Sequence, residues 1–180
     1  MNFQINFQLE LIGDDTKLAP QCHFTATEPK MMLMFEDMRE KNYKVLPRQH
    51  QLNFDEAKPL VVKLAKLHAS SAVLFETNPS LMEPYIEGSI STNPKRQDFL
   101  VHYKNCTRTI GLVAENEWGD EWKTIAQKLK ALEETILKKS CELYIRDPSG
   151  FSVINHNDMW VPNFFFKFNE DGGVNDVLFI

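Results

Sequence analysis

Residues 153–168 read Val-Ile-Asn-His-Asn-Asp-Met-Trp-Val-Pro-Asn-Phe-Phe-Phe-Lys-Phe. Apolar, β-forming residues stand at 151–154 and again at 164–168, which predicts two short buried strands with a polar loop between them. A loop held between two strands can direct Asp158 and Asn163 into one cleft. On a helix the same five-residue spacing would point the two side chains apart.

The loop has the pattern His-x-Asp-x-x-x-x-Asn, formed by His156, Asp158 and Asn163. Phosphoryl transfer needs such residues, because a carboxylate accepts the proton of the attacking hydroxyl and an amide oxygen helps to hold Mg²⁺ against the nucleotide phosphates. In this interpretation Asp158 is the base and Asn163 is the metal ligand. The alternative is a surface hairpin whose polar residues only form turns.

The loop also resembles that of a known family. His156-Asn157-Asp158-Met159-Trp160, followed by Asn163 and three phenylalanines, is similar to the His-Gly-Asp-Leu-Trp loop of the CHK kinase-like (ecdysteroid kinase-like) proteins, which are relatives of choline kinases and aminoglycoside phosphotransferases. Three earlier stretches match as well, so the resemblance spans most of residues 30–180.

This resemblance implies an α+β, protein-kinase-like fold. Residues 1–38 would be a remnant of the small lobe and the hinge, and residues 39–180 an incomplete, mostly helical large lobe whose catalytic-loop β-hairpin is residues 153–168. The implied activity is transfer of the ATP γ-phosphate to a hydroxyl of a small ecdysteroid- or choline-like acceptor, with Mg²⁺. His156 and Trp160 would fix the shape of the loop.

The stretch Met-Met-Leu-Met-Phe-Glu-Asp-Met at 31–38 is an apolar run that ends in two acids. By its pattern alone it predicts a buried strand leaving a sheet. The resemblance places the hinge here, with backbone groups of Glu36, Asp37 and Met38 bonded to the adenine edge and with Met32 and Met34 lining the pocket.

The pattern of residues 52–74 predicts a helix. Asn53 and Glu56 have capping-box spacing, and Pro59 predicts that the regular helix begins one residue before it, since proline is tolerated only in the first turn. His68 falls on the apolar face, where a lone histidine is usually a core residue satisfied by hydrogen bonds. The family's Leu-Ala-x-Leu-His-Ala motif also implies a structural histidine.

The remaining patterns predict the other elements in outline. Alternating apolar residues at 3–11 indicate a strand, residues 78–93 a loop, and residues 94–114 and 120–145 two helices. The turn residues at 169–173 predict a reversal into a strand at 174–180.

Composition limits the class of protein. The chain has 180 residues, 43% of them hydrophobic, a net charge of −5 and three cysteines far apart. The sequence shows no basic tract for nucleic acid, no leader pattern, and no apolar run long enough for a membrane span. These features predict a soluble cytoplasmic protein with free thiols.

The resemblance also implies parts that the sequence does not show. The family's second metal-binding aspartate would follow directly after the strand at 174–180. Asp176 lies at the other end of that strand and cannot be this residue. We expect Asp176 in a turn or at the surface. No glycine-rich loop or paired lysine is visible. We therefore expect a fragment of a longer kinase-like protein. The alternatives are a non-catalytic kinase-like binding protein and an α+β interaction domain with a coincidental loop.

Overall fold

The computed structural model describes residues 15–86, 97–143, 145, 147 and 149–180, without the side chains of 97–100. The strand predicted at 3–11 lies outside these residues. The chain divides into two compact units, one formed by Met1–Met82 with Phe151–Ile180 and the other by Glu83–Gly150.

The first unit contains two small antiparallel sheets. Strands β1 (Cys22–Ala26) and β2 (Met32–Phe35) form a two-stranded ribbon. Strands β3 (Tyr43–Val45), β4 (Phe164–Phe168) and β5 (Val174–Phe179) form the other sheet in the order β3-β4-β5. Together with the helices, these sheets are compatible with the predicted α+β class, while the division into kinase lobes stays a prediction.

The core of this unit lies between the three-stranded sheet and helix α1 (Phe54–Thr77). Alternate residues of β4 and the end of β5 supply its aromatic side chains, because one face of each strand is turned toward the helix. Burying each such side chain contributes roughly 1.5–3 kcal/mol. The buried members are Leu18, Leu60, Leu67, Phe164, Phe166, Val177 and Phe179.

Helix α1 begins with the predicted capping box. The Glu56 N–H donates to Asn53 Oδ1 at 3.0 Å and the Asn53 N–H donates to the Glu56 carboxylate at 2.9 Å. The predicted start beside Pro59 is wrong, since the helix begins at Phe54 and contains the proline. The capping box satisfies two N–H groups at the start of the helix, so the helix is established before the proline and tolerates the one missing N–H.

His68 of α1 departs in part from its prediction. The residue is half-buried rather than fully buried, and its Nε2 atom has no hydrogen-bond partner among the described residues. The predicted hydrogen-bonded core histidine is therefore wrong for Nε2.

The strand predicted within residues 31–38 forms as β2, but its predicted burial is wrong. Met31 is 74% exposed, and Met32 and Met34 are each 54% exposed. Among the residues that the structure describes, the strand pairs with β1 alone. A two-stranded ribbon has no second layer to cover its faces unless another element packs on it.

The hairpin predicted around the polar loop is also wrong. Residues 151–154 form no strand, and Phe151 is 85% exposed. The observed hairpin is β4–β5, closed by the predicted turn, in which the Asn169 N–H donates to the Gly173 carbonyl and Gly172 has φ +84°. The polar loop therefore precedes a hairpin instead of lying at its tip.

The second unit is helical, with α2 (Glu83–Ile86), α3 (Gln97–Asn116), α4 (Lys123–Glu133) and α5 (Ile136–Leu143). The single helix predicted at 120–145 is wrong, because a turn at 134–135 separates α4 from α5. Helix α2 and a 3-10 turn at Pro79–Met82 occupy part of the predicted loop. Helices α3 and α4 approach closely at Gly111, where an added Cβ would lie 3.2 Å from Lys130 Cγ.

Candidate active-site loop

The backbone of the polar loop folds back on itself between Asn157 and Asn163. Asn157 has φ +68°, the left-handed conformation that asparagine tolerates better than most residues. The Trp160 N–H donates to the Asp158 carbonyl at 3.0 Å, and a 3-10 turn over Val161–Asn163 follows, with Pro162 in its first turn. This path brings Asn163 back beside Asp158.

Asp158 and Asn163, which the sequence directs into one cleft, are in direct contact. Asn163 Nδ2 donates to the Asp158 carboxylate at 2.6 Å and to the Asp158 carbonyl at 2.9 Å. Both partners are acceptors, so the amide nitrogen must face them. Asn163 Oδ1 is thereby left on the other side of the amide, where it can bind a cation. Asp158 is exposed and Asn163 is half-buried.

His156 lies beneath the loop and is only 5% exposed. Its ring packs on Phe164 and Phe179, with centroids 6.1 and 5.5 Å away. Burial lowers the pKa of the imidazole, while the charge of Asp158 and a hydrogen bond with the Ile180 backbone oppose that shift. The Asp158 N–H lies 3.4 Å from His156 Nδ1. A neutral, enclosed ring at this position supports the backbone of the loop.

Trp160 lies on the outer side of the loop and is 40% exposed. The guanidinium of Arg48 stacks over its ring at 5.1 Å from the centroid. This contact connects the loop to the segment between β3 and α1, and sequence pattern alone offered no signal for it.

The strand that follows the loop returns to it at its end. The Ile180 N–H donates to the Asn163 carbonyl at 2.9 Å, and the Phe179 N–H donates to the Leu18 carbonyl at 2.7 Å. The end of β5 therefore lies beside Asn163 and fixes the exit side of the loop.

The entrance to the loop is fixed by a residue that sequence reasoning missed. The Ile154 N–H donates to Ser71 Oγ of helix α1 at 3.0 Å. These two residues are 83 positions apart, and no periodic pattern reports such a contact. The one signal in the sequence was a polar residue on the helix face that packs into the core.

The segment predicted to be a hinge is held by its own side chains. Glu36 bonds Lys17 and Lys41 and accepts the Gln21 N–H at 2.8 Å, and together these bonds lower the pKa of the carboxyl to about 2 although burial acts in the opposite direction. Asp37 caps the 3-10 turn that begins at the buried Met38.

Two backbone groups of this segment are already paired. The Glu36 N–H donates to the Gln21 carbonyl at 2.9 Å, and the Met38 carbonyl accepts from the Asn42 N–H. Adenine binding by the backbone of residues 36–38 stays a prediction. Because the Glu36 N–H and the Met38 carbonyl are paired within the chain, the prediction applies to the remaining backbone N–H and carbonyl groups of the segment.

Of the turn or surface position that the pattern predicts for Asp176, the turn is wrong, and the side chain is partly exposed. It lies within β5, where its carboxylate pairs with Lys63 Nζ at 2.6 Å and accepts from the Tyr43 hydroxyl at 2.5 Å. Lys63 also donates to the Lys17 carbonyl at 2.6 Å. This cluster joins α1, β3 and β5.

The loop offers a small set of oxygen ligands. No three His, Cys, Asp or Glu side chains gather into a metal site within the described parts of the chain. Asp158 and Asn163 together provide carboxylate and amide oxygens, which Mg²⁺ accepts, and Mg²⁺ in phosphoryl-transfer sites is commonly held by one or two protein groups with water and phosphate oxygens completing its shell. The donor chemistry therefore fits Mg²⁺ with a nucleotide phosphate.

One of three comparisons with known proteins gives a match. The family model described as the ecdysteroid kinase-like family matches residues 4–180, nearly the whole sequence. The chain therefore belongs to the ecdysteroid kinase-like family. No curated protein and no solved structure matched the chain.

In the parts of the chain that the structure describes, no helix has both the length and the apolar composition of a membrane span.

Proposed function

We propose that this chain carries the catalytic loop of an ATP-dependent phosphotransferase that acts on a hydroxyl of a small molecule. The observation that supports this most is the contact between Asp158 and Asn163, because it holds an exposed carboxylate directly beside the side-chain amide of Asn163. Membership of a kinase-like family gives the reaction class, and an ecdysteroid- or choline-like alcohol is the proposed acceptor.

Each loop residue has a defined task in this proposal. Asp158 accepts the proton of the attacking hydroxyl, and its exposed position gives an acceptor access. Asn163 Oδ1 would help to hold Mg²⁺, which would offset the negative charge of the phosphates. His156 supports the loop from below, and Trp160 fixes its outer side.

The fold assignment follows the same proposal. Residues 1–38 belong to the small lobe and hinge of a kinase-like domain, and residues 39–180 belong to its large lobe. ATP would lie between the hinge segment and the loop, with adenine held by backbone groups of residues 36–38 and its phosphates near Asn163.

The test is Mg²⁺-dependent nucleotide binding, measured by isothermal titration calorimetry with a non-hydrolysable ATP analogue. We expect tighter binding with Mg²⁺ than with EDTA, and we expect Asn163→Ala to remove most of that difference. Asn175→Ala is the matched control, since Asn175 is an exposed asparagine on β5 and should leave the Mg²⁺ dependence intact.

Turnover is then measured as ADP release with water, choline or an ecdysteroid as acceptor. Mg²⁺-dependent ADP release supports the phosphotransferase. Nucleotide binding without any release favours the non-catalytic binding protein instead. Absence of Mg²⁺-dependent binding contradicts the proposal.

A further inference from the structure

Ser71 connects helix α1 to the chain that enters the polar loop. The residue is fully buried. Its hydroxyl donates to the His68 carbonyl at 2.9 Å, one turn earlier on the same helix, and accepts from the Ile154 N–H at 3.0 Å. The oxygen therefore acts as donor and acceptor at once, which fixes both its rotamer and the distance from the helix to Ile154.

Ile154 needs this acceptor because no strand provides one. Residues 151–156 form no strand in the structure, so the Ile154 N–H has no ladder partner. A half-buried N–H without any partner is costly, and a side-chain oxygen replaces the missing carbonyl. The predicted strand at 151–154 is thus replaced by a single bond to a helix.

The position of this bond is what matters for the site. From Ile154 the chain passes the enclosed ring of His156 and reaches Asp158 four residues later. The exit of the loop is fixed separately, because the Ile180 N–H donates to the Asn163 carbonyl. Ser71 is thus the hydrogen-bonding anchor on the entrance side.

We propose that Ser71 is a positioning residue for Asp158, acting through Ile154 and the loop backbone. This inference rests on the proposed phosphotransferase function, because there Asp158 is the base that Ser71 would hold at the acceptor hydroxyl. A displacement of about 1 Å at a reacting group can cost roughly 100-fold in rate. One buried hydroxyl is therefore able to control turnover without touching substrate.

The neighbouring residue provides a matched control. Ser70 is also fully buried, and its hydroxyl donates to the Leu67 carbonyl at 3.0 Å, the same type of bond one residue earlier. Of these two hydroxyls, however, it is that of Ser71 that bonds the loop entrance, at the Ile154 N–H. Ser70→Ala and Ser71→Ala remove the same atoms from equally buried sites, and only Ser71→Ala removes the acceptor of Ile154.

The first measurement is amide hydrogen exchange at Ile154 by NMR, which does not depend on activity. Ser71→Ala should accelerate exchange at Ile154 by about tenfold or more relative to the core amides of β4, because a local bond is lost while the sheet remains. Ser70→Ala should leave the ratio near the wild-type value. Equal acceleration in both variants, or in neither, overturns the inference.

The second measurement is turnover by the same variants. Ser71→Ala should lower kcat for ADP release about tenfold or more with KM for ATP nearly unchanged, the signature of a misplaced reacting group rather than of lost binding. Ser71→Cys, which keeps a weak acceptor, should lie between wild type and Ser71→Ala. A loss in kcat for Ser70→Ala as large as the loss for Ser71→Ala contradicts a positioning role.

The two readouts separate the two proposals. Wild-type protein that shows no Mg²⁺-dependent turnover contradicts the proposed function, and the exchange at Ile154 still decides whether Ser71 anchors the loop. Wild-type turnover that Ser71→Ala leaves unchanged overturns only the positioning role.

Discussion

Asp158 and Asp176 lie on either side of strand β4 in the sequence, and their surroundings differ in every respect. Asp176 is held by the ammonium of Lys63 at 2.6 Å and by the Tyr43 hydroxyl at 2.5 Å, and its side chain is 32% exposed. Asp158 is exposed, and its carboxylate accepts from the neutral amide of Asn163 at 2.6 Å. One carboxylate is paired with an ammonium group, and the other accepts from an uncharged amide.

This difference separates a structural acid from one that is available for chemistry. The Lys63 side chain is only 11% exposed, and burial lowers the pKa of its ammonium while the nearby Asp176 opposes that shift. The pair therefore has to stay together, since either charge alone would be poorly solvated. Among the described residues no ion pair is formed by Asp158, so its exposed carboxylate can meet a ligand directly.

The largest effect that follows from the comparison is on turnover. Asp158→Asn should lower kcat at least about 100-fold, because the variant loses the base that accepts the hydroxyl proton. The same substitution should change the free energy of unfolding by less than about 0.5 kcal/mol, as for other exposed positions. ADP release and urea denaturation of one protein preparation give both numbers. Unchanged turnover would assign the base to another group.

Asp176→Asn should have the opposite effect to Asp158→Asn, a clear loss of stability with little loss of turnover. We expect a loss of about 2 kcal/mol in the free energy of unfolding, below the cost of breaking a fully buried pair because Asp176 is partly exposed. Lys63→Met should cost a similar amount, and the double variant should cost clearly less than both together. Urea denaturation of the four proteins measures this coupling. Additive losses would show that the pair is not a unit.

The sequence predicted the local features of the fold well and the long-range ones poorly. The capping box of α1 and the turn at 169–173 are both confirmed, because each depends on a few neighbouring residues. The strand predicted at 151–154 is wrong, since the Ile154 N–H bonds Ser71 instead of a neighbouring strand. An apolar run predicts burial or extension, but it does not identify the acceptor of each N–H.

The same limit applies to the candidate site. The sequence directed Asp158 and Asn163 into one cleft, and the short loop between them accounts for the hydrogen bond that joins them. Asp176 had the pattern of a surface residue, and its partner Tyr43 is 133 positions away in sequence. A charge on a strand becomes structural through such a partner, which only the folded chain provides.

A smaller effect is expected at His156, on the buried side of the loop. Burial lowers the pKa of its imidazole, so the unfolded chain binds a proton more readily than the folded protein does. The free energy of unfolding should therefore fall as the pH drops below about 6.5, and His156→Phe should remove that component. Urea denaturation measures it between about pH 5 and 8, the range over which histidines titrate. His23→Asn, at an exposed histidine, is the control and should keep the wild-type slope.

The smallest effect is expected at the rim of the loop, where two similar contacts separate stability from chemistry. Arg48 stacks over Trp160 at 5.1 Å, and Lys44 stacks over Phe168 at 4.4 Å on the far end of β4. Arg48→Met and Lys44→Met should each cost about 0.5 kcal/mol of stability, the usual value for such exposed contacts. Only Arg48→Met should also lower ADP release, by a few-fold, because only its contact shapes the loop that carries Asp158. Equal turnover in the two variants would show that the loop keeps its shape without the contact between Arg48 and Trp160.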